Sequence, residues 1–216
     1  PLVGDLVSLA LSTESGTATY LPFGHRQAFE LTFEGEDRED IRNLSSLASA
    51  ETAALKEMLE DPEIEKVGHN LKRTALSLAG AGVTLRGISF DVMIASYLFD
   101  PGRKDHGLTA LALEELSHTI LDRKDLVRSG SSQASFSDVP IEQARDYLCE
   151  IADVLLRLTV RFRQRLKERL LGNLMVDLEM PLVPVLVSME LAGIGIDEDF
   201  FAEMRSKLIR ELELIR

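Results

Sequence analysis

Glu65-Lys-Val-Gly-His-Asn-Leu-Lys-Arg-Thr74 is the stretch that decides the fold. Glu65 to His69 reads as a short strand that runs straight into a helix from about Asn70 to Ala79, ended by Gly80 and Gly82. The unit repeats at once. Gly87-Ile-Ser-Phe-Asp91 reads as a second strand and Val92 to Leu98 as a second helix. Strand–helix–strand–helix with short connections is the pattern of an α/β layer.

Upstream, Leu6-Val-Ser-Leu-Ala-Leu11 and Thr17-Ala-Thr-Tyr-Leu-Pro-Phe23 flank a turn-like Ser12 to Gly16, which predicts a β-hairpin. Ser46 to Leu59 spaces its apolar residues as a helix, stopped by Asp61-Pro62. Downstream, Asp100-Pro101-Gly102 breaks the chain before a helix at Leu108 to Leu116. Ser129 to Gln133 has loop composition, and Pro140 suits the first turn of a long helix reaching about Leu170. Strands first, then strands alternating with helices, predict a mixed sheet flanked by helices over residues 1–172.

From Gly172-Asn173 the chain reads as all helical, a second unit over 173–216. Met180 to Leu191 enters its helix through Pro181 and Pro184 and ends at Gly193. A further helix opens with Glu198 and Asp199, favourable against its dipole. Its seam of Phe201, Met204, Leu208, Leu212 and Ile215 requires a surface to pack on. It reaches the last residue without a stop signal, which reads as an excerpt from a longer structure.

Composition narrows the class. The 216 residues are 45% hydrophobic and 28% charged, ordinary for a globular protein. No apolar run approaches bilayer length, and Pro1 to Leu11 lacks the basic flank of a signal peptide. One cysteine, Cys149, excludes an internal disulfide, fits a reducing cytosol, and is read as packed in a helix. Twenty-four basic against 36 acidic residues give a net charge of −12. That is the wrong sign for gripping nucleic acid through the domain's own surface, although bound divalent cations can reverse a local field.

Three blocks together resemble bacterial DNA polymerase I of family A. Val67-Gly-His-Asn-Leu-Lys-Arg-Thr74, with Gly82 to Asp91 and Met93, Ser96 and Tyr97, is similar to the family's second exonuclease motif and its next strand and helix. Ala144-Arg-Asp-Tyr147 through Asp153-Val154 is similar to the third. Glu179-Met-Pro-Leu-Val-Pro-Val-Leu186 through Gly193-Ile-Gly-Ile-Asp197 resembles the junction where the exonuclease domain gives way to the polymerase thumb. The resemblance implies a ribonuclease H-like fold over 1–172 and the first thumb helices over 173–216. It also implies a cytoplasmic, monomeric parent enzyme that meets DNA and holds Mg²⁺ outside this chain.

The family's editing reaction hydrolyses a terminal phosphodiester with two cations held by four carboxylates, a tyrosine placing the attacking water. Two carboxylates belong to a first strand expected before Pro1. In this fold that strand lies mid-sheet, so a native chain continuing upstream is expected, and a closed sheet from residues 1–160 would refute it. The third position matches Thr74, and the fourth, one turn after Tyr147, matches Ile151. Neither side chain supplies a charge. The resemblance thus implies a degenerate site with no metal, Thr74, Tyr147 and Ile151 marking where it stood. His69 and Asn70 match positions near the substrate's terminal nucleotide, while Asn70 equally suits a cap or turn.

Glu150 and Asp153 flank Ile151, but helix positions diverge by about 100° per residue, so they read as solvent-facing acids. Asp91 reads as structural. His25, His69, His106 and His118 lack metal-ligand spacing. With Ile151 beside it, Tyr147 reads as a half-buried aromatic whose hydroxyl finds another acceptor. The leading expectation is a non-editing platform for a DNA polymerase. The alternatives are an active 3′→5′ exonuclease drawing on Glu150 or Asp153, and a stand-alone interaction module, against which the Glu179 to Asp197 block argues.

Overall fold

The computed structural model describes residues 6–26, 42–121, 126 and 135–215. The predicted loop at 129–133 lies outside them. β1 (Ser8–Leu11) and β2 (Thr19–Pro22) form the expected hairpin, antiparallel with Leu9 opposite Leu21. Ser49 caps a 3₁₀ turn at Ala50–Thr52, and α1 follows at Ala53–Glu60. The expected helix from Ser46 therefore begins later, because the Ser49 hydroxyl accepts the Glu51 N–H and fixes the entry there.

β3 (Lys66–Gly68) leads into α2 (Leu71–Gly80), and β4 (Ile88–Asp91) into α3 (Val92–Phe99). β3 and β4 pair in parallel, Val67 opposite Phe90. Gly87 turns the chain into β4 at φ 70, where a β-carbon would meet the Ile64 carbonyl at 2.3 Å. Only glycine fits that approach. α4 (Leu108–Leu116) and α5 (Ile141–Glu168) come next. Pro140 stands just before α5, as its cap position, rather than inside its first turn. A helical turn (Gly172–Leu174) and a π-helical turn (Met175–Glu179) lead to α6 (Met180–Ala192), and α7 spans Glu198–Ile215.

Among the described residues the strands form two separate pairs, β1–β2 and β3–β4, and no closed sheet. α5 spans both pairs on one face, packing on β1, β2 and β3 as well as α3 and α4. That core gathers Phe90, Val92, Leu111, Val154, Leu158 and Phe162. A smaller cluster, Leu47, Leu59, Leu78 and Val83, sits under α1 and the end of α2 against Leu9 and Phe23 of the hairpin.

Glu115 at the end of α4 binds two arginines of α5, accepting from Arg161 Nε at 2.8 Å and from Arg165. The Arg165 guanidinium lies 3.6 Å from the centre of the Phe99 ring, so one cation joins α3, α4 and α5. Burial pushes the Glu115 carboxyl up, but the bonds from Arg161 and Arg165 outweigh it and hold the group below its ordinary value.

The main core continues beyond residue 172, since Met175, Met180 and Val183 are buried in it. α6 also packs on α2, where Lys72 and Glu190 form an ion pair. By contrast, no residue of α7 is buried, and Phe201, Leu208 and Leu212 are at least half exposed. Among the described residues, no helix is long and apolar enough to cross a membrane.

Candidate functional site

The second motif sits where β3 meets α2. The joint is held by Asp91, at the end of β4, which is 1% exposed. One carboxylate oxygen accepts from the N–H groups of Asn70 at 3.1 Å, Met93 at 2.9 Å and Ile94 at 3.4 Å. The other accepts from Leu71 at 2.6 Å. Asp91 thus satisfies the opening donors of both α2 and α3, and no oxygen remains turned to a cleft. Asn70 occupies the left-handed region at φ 56 and makes no side-chain cap, so of its two non-substrate readings the turn holds.

His69 is held beside it, its Nε2 2.8 Å from the His106 carbonyl, and so donating a proton to it. His106 contacts the Ser96 hydroxyl through Nδ1 at 2.9 Å and meets Tyr97 edge-on. The loop carrying His106 therefore closes over the start of α2. Nothing in the spacing of His69 and His106, 37 residues apart, announces this contact. Thr74 lies one turn into α2, half-buried, its N–H 3.3 Å from the Asn70 carbonyl.

The third motif lies on α5. Tyr147 and Ile151 are one turn apart, half-buried, and both pack against the main core. Tyr147 meets the Phe136 ring at 6.3 Å between centroids. The structure thus places His69, Asn70 and Thr74 together at the β3–α2 joint and Tyr147 with Ile151 on the neighbouring helix.

Glu150 and Asp153 are not the solvent-facing acids that helix periodicity suggests. Glu150 takes a hydrogen bond from His118 Nε2 at 2.8 Å, tying α5 to the segment after α4. Asp153 accepts from the Gly16 N–H at 2.7 Å and the Ser15 hydroxyl at 3.3 Å, gripping the hairpin turn, with Arg157 3.5 Å away. Both partners are more than thirty residues away in sequence, beyond the reach of a helical-wheel reading. Among the described residues no three His, Cys, Asp or Glu side chains gather as a metal site. A pair of hard cations needs a wall of oxygen donors, and the hydroxyl of Thr74 with the alkyl group of Ile151 does not fit one.

Residues 35–140 match the family model described as DNA polymerase I, ribonuclease H-like domain. DNA polymerase I of Pseudomonas aeruginosa is 35% identical over 196 residues, covering 89% of this chain and 20% of the relative. That of Rhizobium leguminosarum is 34% identical over 213 residues, covering 96% and 20%. The chain thus spans about a fifth of the length of these relatives. Among solved structures, the POL domain of Pol1 from M. smegmatis, in complex with DNA primer-template and dNTP, superposes with a TM-score of 0.71 at 25% identity. The match covers 97% of this chain and 30% of that one. Brucella melitensis NrnC with bound Mg²⁺ shares the fold at a TM-score of 0.53 and 24% identity, over 64% of each chain.

Proposed function

The chain belongs to the DNA polymerase I family as its ribonuclease H-like, exonuclease-type domain, and from that premise we propose a non-editing platform for template-directed DNA synthesis. One observation carries this reading. The two matched carboxylate positions are Thr74 and Ile151, while the acids nearest to Ile151 are committed elsewhere, Glu150 to His118 and Asp153 to the hairpin turn. Recruiting either would break those bonds and turn the side chain around α5, by about 100° for Glu150 and about 160° for Asp153. When bound, the two cations of the family's reaction would supply the attacking hydroxide and stabilise the leaving oxygen. At the two matched positions, neither Thr74 nor Ile151 offers a charged ligand for these jobs.

In this reading the domain's work is mechanical. α6, packed on α2 and latched by Lys72 and Glu190, carries the path toward the polymerase body, which holds Mg²⁺ and the DNA. The net charge of −12 agrees with leaving phosphate contacts to that body.

The test incubates the full-length protein in Mg²⁺ or Mn²⁺ with an end-labelled single-stranded DNA and, in parallel, with an end-labelled primer–template plus deoxynucleoside triphosphates. The expected result is primer extension without loss of 3′ nucleotides, and partial recovery of excision in a Thr74→Asp/Ile151→Asp variant. Mn²⁺-dependent excision by the natural protein, abolished by Glu150→Gln or Asp153→Asn, would overturn the reading in favour of an active exonuclease.

A further inference from the structure

α6 is continuous from Met180 to Ala192, but its two halves are held in different ways. Met180 and Val183 are sealed in the main core, together with Met175 just before them. Past Val183 every residue of the helix is exposed except Val187, which is half-buried. Val185 is 50% exposed and Met189 62%. Burial therefore fixes the first half and does little for the second.

The halves meet at a weak point in the backbone. Pro184 lies inside α6 and has no N–H to donate to the Met180 carbonyl one turn back. Pro181 lacks an N–H as well, and the turn before α6 is π-helical over Met175–Glu179. Prolines and π-helical turns are the usual places where a helix bends. There is also room beside them. Met175, Val176, Met180, Pro181 and Pro184 all line a cavity of about 660 Å³ that opens next to β4.

At the far end, Glu190 pairs with Lys72, the only ion pair that α6 makes among the described residues. Lys72 stands in the first turn of α2, where Asp91 holds the N–H groups of Asn70 and Leu71. The pair therefore closes on a fixed post. Its two side chains are 38% and 44% exposed, so dissolved salt reaches and screens them.

We propose that α6 is a hinged arm: residues 180–183 are its fixed root, Pro184 the pivot and residues 185–192 the moving part, with the Lys72–Glu190 pair as a salt-sensitive catch that holds the arm on α2. Opening the catch changes the direction in which the chain leaves the domain, and with it the placing of whatever follows Ala192. None of these parts is shared with Thr74, Tyr147 or Ile151, so the device stands whether or not that site cuts DNA.

The test is hydrogen–deuterium exchange of the full-length protein, read by mass spectrometry at about 0.1 M and about 1 M NaCl, between which the screening length falls from about 10 Å to about 3 Å. Amides of residues 185–192 are expected to exchange about threefold faster at the higher salt, and Lys72→Gln is expected to do the same at the lower. The reversed pair Lys72→Glu/Glu190→Lys is expected to restore slow exchange, which neither reversal achieves alone. Pro184→Ala, at an exposed position, returns the missing N–H and is expected to remove most of the salt response. Amides of residues 175–183 stay slow throughout. Exchange at 185–192 that ignores both salt and Lys72→Gln would overturn the proposal. So would a response shared equally by 175–183, which marks opening of the whole helix, or one that Pro184→Ala leaves intact. A reversed pair that exchanges as fast as Lys72→Gln would overturn it as well.

Discussion

Asp91 answers four backbone donors with a single carboxylate, and those donors open two helices that begin some twenty residues apart. Alanine there strips four buried or half-buried N–H groups of their acceptor. A loss of about 3 kcal/mol is expected for Asp91→Ala, and roughly half of it for Asp91→Asn, read as the shift in urea midpoint. His25 is a second case of one side chain serving several elements. Its Nδ1 lies 3.1 Å from the Val139 carbonyl and donates to it, which leaves Nε2 to accept the Tyr20 hydroxyl. Burial lowers its pKa from the ordinary 6.5, the Val139 carbonyl acting the other way. The unfolded chain therefore takes up a proton more readily than the folded one. Stability holds above 6.5 and declines as pH falls below it toward the lower folded value. His25→Gln is expected to flatten that decline, measured as unfolding free energy across the range.

At the scale of elements, the end of α5 shows where local rules bend. Leu170 takes φ 60, while Leu171 donates to the Leu166 carbonyl at 2.9 Å and Leu170 to that of Lys167 at 3.1 Å. These are the two bonds of a Schellman ending, made around a leucine where glycine is usual. Leu170 is 90% exposed, so its side chain contributes little packing. Leu170→Gly is expected to stabilise the fold by about 1 kcal/mol, visible as a rise in melting temperature. The elements themselves were readable. α4 was legible at both ends, and the β3–α2 and β4–α3 units to within a residue, because apolar spacing and Gly or Pro punctuation are local signals. The π-helical turn was not, since nothing in Met175 to Glu179 departs from an ordinary helical pattern. The partners of Glu150 and Asp153 were equally hidden, because they depend on how α5 lies against the hairpin and α4. Thr74 and Ile151 could be singled out from sequence alone, as departures from a motif rather than as chemistry of their own.

Across the whole molecule, packing thins toward the end of the chain. Every residue from Gly193 to Ile215 is exposed, while Met175, Met180 and Val183 are sealed in the main core. In the isolated 216-residue chain, brief protease treatment is expected to cut first between Gly193 and Asp197, leaving a folded body that retains α6. An early cut inside α6 with loss of the Lys72–Glu190 latch would contradict that order; mass spectrometry of the fragments distinguishes the two.

The make-up of that core also sets a timetable. Among the described residues, seven of its thirteen buried members lie between Val154 and Val183, so the first six, Phe90 to Ile120, have no complete partner surface until the later ones exist. At roughly 5–20 residues per second, a ribosome needs on the order of 5–20 s to go from Phe90 to Val183. During that interval β3, β4 and α3 emerge with their apolar faces open. The domain is thus one that folds late in its own synthesis, and a nascent chain halted before α6 is expected to depend on chaperones rather than on its own packing.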